Sequence, residues 1–294
     1  MNQAYGLKSV LEFHEHDKDQ GVDRTYLYYN TTSTHLDTDK QEVDIITSPV
    51  WGKMLFLDGT LQSTSKDEII YHNALVHPLM AMLTEKKNIL ILGGGEGATA
   101  REVLRWKNVE RVIMVDYDKE LVEYMMSDTT WSCNAFNDRR LHVVYDDAWN
   151  YIKNTGEYDG IIIDLTDPSL KTQMWKPLIK NALNVVKNRM GGIVMNAGLY
   201  LPWKTDQLRD LKNIVEDLCK EYVDFKYYIY TAFVPSFNGE WTFIVISHKN
   251  KFITEPEFMT CIPAWIRRGI RMLDNTLLDY PVVTRPDNSL LSAV

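Results

Sequence analysis

The chain has 294 residues, of which 45% are hydrophobic and 24% are charged, a composition typical of a globular protein with one α/β domain and a small appendage. The formal net charge of −8 argues against a nucleic-acid partner. The sequence contains no run of about 18 apolar residues, so no membrane span is predicted. Cys133, Cys219 and Cys261 have no paired spacing, which indicates reduced thiols in a cytoplasmic protein without disulfides or a zinc site.

The first part of the chain predicts a small β-strand domain over residues 1–66. Residues 41–48 have the composition of a strand, and residues 52–64 predict two short strands around the turn dipeptide Asp58-Gly59. The pattern then becomes helical over residues 67–84, with Asp67 as a candidate N-cap. Because proline lacks an amide hydrogen, we expect Pro78 to kink or restart this helix.

From residue 88 onwards, predicted strands alternate with predicted helices, which indicates a parallel sheet covered on both faces. The predicted strands are residues 89–92, 111–115, 141–144, 160–164, 192–196, 225–233 and 241–248. The predicted helices are residues 98–106, 119–126, 148–153, 174–187 and 205–221. The last two strands are joined by Asn238-Gly239, a hairpin turn. The expected fold is α/β, a Rossmann-like, class I methyltransferase-type domain over residues 67–294 with a C-terminal antiparallel hairpin.

A glycine-rich run at residues 88–101, NILILGGGEGATAR, is the strongest local signal. The spacing of Gly93, Gly95 and Ala98 fits a nucleotide-binding turn between a strand and a helix, and Asp116 follows at the distance expected of a ribose-binding acid. The same spacing is also compatible with a tight turn that binds no ligand.

Acidic residues stand at the ends of the predicted strands, where open α/β sheets bind their ligands. They are Glu96, Asp116, Asp147, Asp164 and Asp167. A nicotinamide cofactor would use the glycine turn and one ribose acid. An S-adenosyl ligand also has an adenine amino group and an aminoalkyl arm that carboxylates can hold. The set of acids therefore favours the S-adenosyl ligand.

Taken together, the motifs resemble the polyamine aminopropyltransferases, which comprise the spermidine, spermine and thermospermine synthases. The resemblance runs from about residue 41 to residue 248, and its details are most similar to the thermospermine synthases. The motifs are LDGTLQSTSKDEIIYH (57–72), GGGEGATAREVL (93–104), VDYD (115–118), DDA (146–148), DLTDP (164–168) and VPSF (234–237).

The resemblance implies a role for each matching residue. The residues implied to bind the co-substrate, decarboxylated S-adenosylmethionine, are Gln41, Gln62, His72, Gly93, Gly95, Glu96, Asp116 and Asp147. Tyr71 and Asp164 match the pair that orients and deprotonates the attacking amine. The residues implied to bind the polyamine are Asp167, Phe237, Glu240 and Trp241. No metal and no permanently bound cofactor are expected.

Departures from the family pattern lie on the acceptor side. Residues 169–175 are shorter than the family's Gly-Pro-containing loop, and Trp175 replaces a tyrosine. Asn196 and Ala197 stand where a glutamine is usual. These differences leave the acceptor amine open: it is spermidine, which the resemblance favours, putrescine or a longer amine.

Other interpretations remain open at the level of sequence. A related branch methylates putrescine with intact S-adenosylmethionine, but Glu96 would repel the carboxylate of that donor. A polyamine-binding homologue without activity would not need Tyr71, Asp164 and Asp167, and a nicotinamide oxidoreductase would not use the acids of DLTDP. The expected partners are a small-molecule polyamine and further copies of the chain in a homodimer or homotetramer, with neither nucleic acid nor membrane.

Overall fold

The first six strands form two antiparallel sheets. The computed structural model describes residues 10–17, 22–168, 172–186, 191–248, 259, 262 and 264–273. Strands β1 and β2 form a two-stranded sheet, and β3 to β6 form a four-stranded sheet in sequential order. Their bounds are β1 Val10–Asp17, β2 Val22–Tyr29, β3 Thr32–Asp37, β4 Glu42–Ser48, β5 Gly52–Leu57 and β6 Thr60–Thr64. The turn between β5 and β6 has positive φ at Asp58 and Gly59, as the sequence predicts for this dipeptide.

An eight-stranded sheet follows, with the order β14-β12-β13-β11-β10-β7-β8-β9. Its strands are β7 Asn88–Gly93, β8 Arg111–Asp116, β9 Leu141–Tyr145, β10 Gly160–Asp164, β11 Gly192–Leu199, β12 Phe225–Val234, β13 Gly239–His248 and β14 Ile270–Met272. Strands β7 to β11 are parallel, whereas β12, β13 and β14 add antiparallel pairs. The predicted fold class is therefore confirmed.

Helices cover both faces of this sheet. They are α1 Glu68–Met82, α2 Ala98–Leu104, α3 Lys119–Ser127, α4 Thr129–Ser132, α5 Ala148–Tyr151, α6 Trp175–Val185, α7 Asp206–Glu221 and α8 Ala264–Arg267. Alternate residues of β7 serve the two layers: Ile89 and Ile91 pack with the α1 side, and Leu90 and Leu92 with the α6 and α7 side. Because β7 is buried on both faces, its position in the sheet is fixed, and so is that of the glycine turn at its carboxyl end. None of the described helices is long and apolar enough to cross a membrane.

Helix α1 is one helix over Glu68–Met82 and contains Pro78, so it does not restart at the proline. A proline at this position leaves the carbonyl of Ala74 without its usual helical donor. The hydroxyl of Tyr230 in β12 donates a 2.8 Å hydrogen bond to that carbonyl. A tertiary contact thus replaces the missing helical bond, and no local sequence pattern could reveal it.

The four-stranded sheet packs against α3 and α4. Val43 and Leu55 share a buried cluster with Leu121 and Trp131. The Trp131 indole also donates a 2.9 Å hydrogen bond to the hydroxyl of Ser63. Strand β6 and helix α1 lie on either side of the expected boundary at residues 66 and 67, and the division into two domains stays a prediction.

Candidate active site

A cleft of about 1130 Å³ opens beyond the carboxyl ends of β7, β8 and β10, with residues of the N-terminal strands along its other side. The sequence-predicted residues that line it are Gln41, Gln62, Tyr71, Gly93, Gly95, Glu96, Asp116, Asp147, Asp164, Asp167, Phe237 and Trp241. The fold thus brings together residues that are as far apart as β4 and β13 in the chain.

The glycine turn allows two carboxyl-bearing residues to approach the backbone. Gly93 has φ +85°, and a Cβ there would lie 2.1 Å from the carbonyl oxygen of Asp164. A Cβ on Gly95 would lie 2.9 Å from Oδ2 of Asp116. The amide of Gly94 donates a 3.2 Å hydrogen bond to the Asp164 carbonyl. Glycine is therefore needed here for close packing as well as for its backbone conformation.

Asp164 ends β10 and is held from two sides. The Tyr71 hydroxyl donates a 2.9 Å hydrogen bond to its Oδ1, and the Thr99 hydroxyl donates a 2.5 Å bond to its Oδ2. Burial, and then the charge of Glu96, raise the pKa of Asp164. Burial and the charge of Asp164 raise the pKa of Tyr71 well above its usual range, so the phenol keeps its proton. The pair is a fixed acceptor carboxylate with a fixed donor beside it.

His72 lies behind the cleft wall, between two carboxylates. Its Nε2 lies 2.9 Å from Oε1 of Glu96, and its Nδ1 lies 2.8 Å from Oε2 of Glu68. Burial opposes a charge on this ring, but the two carboxylates outweigh it and raise the pKa of His72 well above its ordinary value. Because each carboxylate accepts a hydrogen bond from one ring N–H, the imidazole is cationic and has no free lone pair.

His72, Glu96 and Asp164 place one nitrogen and two carboxylate oxygens within 4.8 Å of one another, which is close enough for a shared metal ion. A metal ligand, however, must be a neutral imidazole. His72 does not fit that role, because both of its ring nitrogens are hydrogen-bonded to carboxylates. The cluster is therefore better described as a His72–Glu96 ion pair beside the Asp164 carboxylate.

Asp116 ends β8, and little of it is exposed. Burial, and also the charges of Asp118 and Glu96, raise its pKa to about 7 although the Asp118 amide donates a 2.9 Å hydrogen bond to it. Gln41 approaches from the N-terminal sheet and donates a 2.7 Å bond to Oδ2 of Asp118. The sequence-predicted Gln41 thus lines the cleft while bonded to a second acid.

Asp147 and Gln62 line other parts of the cleft. The Asp147 carboxylate caps α5 by accepting a 3.0 Å hydrogen bond from the Asn150 amide. Gln62 donates a 3.2 Å bond to the carbonyl of Thr60. In both cases a local bond orients a polar side chain at the cleft surface.

Asp167 and the aromatic wall are joined through Asn196. The Asn196 amide nitrogen donates a 2.9 Å hydrogen bond to Asp167, and its amide oxygen accepts a 2.8 Å bond from the Trp241 indole. The rings of Trp241 and Phe237 are 4.5 Å apart, and each lies 6.2 Å from the ring of Tyr71. A carboxylate beside a wall of aromatic faces is suited to a cationic chain.

Comparisons with known proteins agree with this geometry. The Spermine/spermidine synthase domain matches residues 68–257, and the Spermidine synthase tetramerisation domain matches residues 34–65. The chain belongs to the spermine/spermidine synthase family. It is a polyamine aminopropyltransferase, and the thermospermine branch within the family is not distinguished by these matches.

Relatives and solved structures support the family assignment. The polyamine aminopropyltransferase of Saccharolobus solfataricus is 37% identical over 243 residues, which cover 81% of this chain and 79% of that protein. The enzyme of the same name from Aeropyrum pernix is 36% identical over 217 residues, covering 70% of this chain and 66% of that protein.

Two solved spermidine synthases have the same fold. The enzyme of Thermotoga maritima has a TM-score of 0.72 and 24% identity, and covers 84% of this chain and 82% of its own. A spermidine synthase bound to the transition-state analogue AdoDATO has a TM-score of 0.69 and 25% identity, with the same coverage of each chain.

Glu240 departs from its expected place. Neighbouring residues of a strand point to opposite faces, so Trp241 lines the cleft while Glu240 does not. The Glu240 carboxylate instead accepts a 2.9 Å hydrogen bond from Arg271 in β14. The structure therefore places Glu240 in an ion pair at the sheet edge rather than in the substrate cleft.

Several residues of this synthase site were not singled out from the sequence. Thr99 holds the second oxygen of Asp164, and Glu68 and Arg101 lie behind His72. Asp67 is the N-cap residue of α1, as expected, but its carboxylate accepts hydrogen bonds from Ser236 and Thr64 and none from the helix. Thr99 and Arg101 do lie within the glycine motif, but Asp164 and Glu68, which they hold in the site, are 65 and 33 residues away, so spacing could not identify these contacts.

Proposed function

We propose that this enzyme transfers the aminopropyl group of decarboxylated S-adenosylmethionine to spermidine, forming thermospermine or spermine and releasing methylthioadenosine. The observation that carries the proposal is the Tyr71–Asp164 pair, which faces the same cleft as Glu96, Asp116 and Asp167. In this arrangement Asp164 is the proton acceptor. Glu96 and Asp116 are suited to the cationic donor, and Asp167 is suited to the cationic amine.

The donor is assigned to the side of the glycine turn. Asp116 would accept hydrogen bonds from the ribose hydroxyls, and Asp147 from the adenine amino group. Glu96 would bind the ammonium at the end of the aminopropyl arm, with Gln41 and Gln62 bordering the same part of the cleft. Intact S-adenosylmethionine carries a carboxylate beside that ammonium, and Glu96 would repel it. The site therefore favours the decarboxylated donor.

The acceptor is assigned to the side of Asp167 and the aromatic wall. Asp167 would hold a charged nitrogen of the polyamine, while Phe237 and Trp241 enclose its methylene groups. Phe237 in place of the tyrosine usual in spermidine synthases is the feature that favours spermidine over putrescine as acceptor.

The transfer is a displacement at carbon. The lone pair of a neutral amine forms a bond to the propyl carbon, the carbon–sulfur bond breaks, and its electrons neutralise the sulfonium. A primary amine has a pKa near ~10.4, so freeing it at pH 7 costs roughly 4–5 kcal/mol. The sulfonium charge lowers that cost, and Asp164 takes the proton that the nitrogen must lose. Alignment of nitrogen, carbon and sulfur by the cleft walls contributes several kcal/mol more.

Product chromatography tests the assignment. The enzyme is incubated with decarboxylated S-adenosylmethionine and, separately, putrescine, spermidine or spermine, and products are separated by chain length and isomer. We expect a tetraamine from spermidine and little product from the other amines. Main turnover of putrescine would instead assign spermidine synthesis, and N-methylated amine from intact S-adenosylmethionine would assign a methyltransferase.

Assembly is proposed from the match at residues 34–65, which cover β4, β5 and β6 and part of β3. The expected states are a homodimer or a homotetramer formed through the N-terminal strands. Light scattering of the full chain measures the mass directly, and a monomer at micromolar concentration would contradict this proposal.

A further inference from the structure

Helices α1 and α2 are connected by a closed circuit of charged side chains behind the cleft. Glu96 in the glycine turn bonds His72, His72 bonds Glu68, and Glu68 bonds Arg101. Arg101 lies in α2, which follows Glu96 directly in the chain. The circuit thus returns to its starting segment through the helix backbone, and its two cross-links lie one helical turn apart on α1.

Among these side chains, Arg101 has the largest number of partners outside the circuit. Its guanidinium holds both oxygens of Glu68 at 2.9 Å, donates a 2.8 Å hydrogen bond to Glu102, and donates a 2.5 Å bond to the carbonyl of Trp131. A planar guanidinium held by three partners has little rotational freedom. Its position fixes the Glu68 carboxylate, whose Oε2 also accepts from His72.

Burial makes these bonds strong. The side chains of His72, Glu68, Arg101 and Glu96 are 2%, 9%, 13% and 15% exposed. Charges that are shielded from water interact more strongly than exposed pairs, and loss of one partner leaves another charge uncompensated. The groups that face the His72 ring are the carboxylates of Glu68, Glu96 and, further away, Asp164, together with the neighbouring phenol of Tyr71. On the side away from the cleft, the Nδ1 of His72 contacts Glu68 twice, through the carboxylate and through the main-chain carbonyl, each at 2.8 Å. Glu68→Gln removes the charged contact and keeps the carbonyl.

We propose that Glu68, held by Arg101, is a positioning residue for the donor: it fixes the His72 imidazolium, which in turn fixes the Glu96 carboxylate where the ammonium of the aminopropyl arm binds. Glu68 itself is not among the residues that line the cleft. The inference rests on the proposed donor site, because it needs Glu96 to bind that ammonium.

The test compares two ligands that differ in the aminopropyl arm. Decarboxylated S-adenosylmethionine carries the arm, whereas methylthioadenosine has a methyl group in its place. Calorimetry on the full chain measures the Kd of each ligand for the wild type and for Glu68→Gln. Residues that orient metal ligands from behind typically contribute about 10- to 100-fold in metal affinity. By analogy, we expect a loss of about tenfold or more for the donor and less than about twofold for methylthioadenosine. Equal weakening of both ligands would overturn the proposal, since a general structural defect has no reason to spare the ligand without the arm.

A double-mutant cycle tests the route through His72. A glutamine at position 72 can donate to Glu96 without a charged partner behind it. If Glu68 acts through His72, Glu68→Gln costs no further donor affinity in a His72→Gln background. An unchanged additional loss in that background would show that Glu68 acts by another route and would overturn the proposal.

Two further variants separate this inference from the proposed function. Glu96→Gln weakens the donor but not methylthioadenosine if the arm binds at Glu96, and absence of that difference would contradict the donor site itself. If Glu96→Gln weakens only the donor but Glu68→Gln changes the Kd of both ligands equally, the donor site stands and only the positioning role is contradicted. Glu123→Gln, an exposed carboxylate on α3 paired with Lys119, serves as the matched control and leaves both Kd values unchanged.

Discussion

The hydroxyl of Tyr71 in α1 lies 2.9 Å from Oδ1 of Asp164 at the end of β10, and donates a hydrogen bond to that carboxylate. The contact joins a helix packed on one face of the sheet to the strand end that reaches the cleft. It leaves Asp164 with one oxygen held by a phenol and the other by the Thr99 hydroxyl. The carboxylate therefore meets an incoming amine in a fixed orientation.

Asp164→Asn should reduce turnover far more than donor affinity. The amide retains the size of the carboxylate but cannot accept the proton that the amine loses. A positioned general base contributes about 10²- to 10⁴-fold, which sets the expected loss in kcat. Steady-state kinetics and donor calorimetry check the prediction, with the exposed Asp217→Asn on α7 as control. Comparable losses in kcat and in donor affinity would reject a specific base role.

Tyr71→Phe should lower kcat by about 10- to 100-fold, because a hydrogen bond to a charged group is worth roughly 1.5–3 kcal/mol. The ring and its contacts with Phe237 and Trp241 are retained, so the amine KM should change little. Tyr222→Phe, which removes a hydroxyl bonded to Asn184 outside the cleft, is the matched control. A large rise in amine KM with unchanged kcat would instead make Tyr71 a binding group.

Asp116→Asn should stabilise the unliganded protein at pH 8 and weaken donor binding. Folding raises the pKa of Asp116 to about 7, so between about pH 4 and pH 7 the folded state holds the proton more tightly than the unfolded state. The protonated Asp116 therefore contributes its full stability below about pH 4, and this contribution is lost as the pH rises to about 7.

The asparagine variant has no such pH dependence at position 116. We expect its stability relative to the wild type to rise by about 2–4 kcal/mol between pH 4 and pH 8. Urea denaturation at the two pH values measures the difference, and a gain that is independent of pH would contradict the prediction.

Gly93→Ala should destabilise the protein much more than Gly198→Ala. Both glycines have positive φ, which costs a residue with a side chain about 1–2 kcal/mol. A Cβ on Gly93 also meets the Asp164 carbonyl at 2.1 Å, whereas a Cβ on Gly198 meets nothing within 4 Å. The expected difference in the free energy of unfolding is about 2 kcal/mol or more, within the range of severe substitutions. Equal effects of the two substitutions would show that the backbone moves to relieve the contact.

The sequence was informative where function depends on short motifs. The glycine turn and the acids at the strand ends predicted the sheet and its ligand edge, because each is a local pattern with a local cause. The hairpin of β12 and β13 was also predicted, but its connection is residues 235–238, and Gly239 already pairs with Val234. Tyr71 and Asp164 required the family resemblance, since they are 93 residues apart in the chain.

What the sequence missed depends on long-range contacts. The Tyr230 hydroxyl bonds the Ala74 carbonyl that Pro78 leaves without a helical donor, and Arg271 in β14 forms an ion pair with Glu240. Residues 169–171 of the shortened loop lie outside the described residues, while Trp175 begins α6 and is buried against Trp149. These outcomes follow from packing between distant elements, which neither periodicity nor turn chemistry encodes.

Asn196 connects the charged and the aromatic halves of the amine side, since one amide bonds both Asp167 and the Trp241 indole. Substitutions at these three positions will consequently be epistatic: the effect of changing one depends on what occupies the other two. A change of amine preference, in evolution or in a designed library, must therefore alter the three residues as a set.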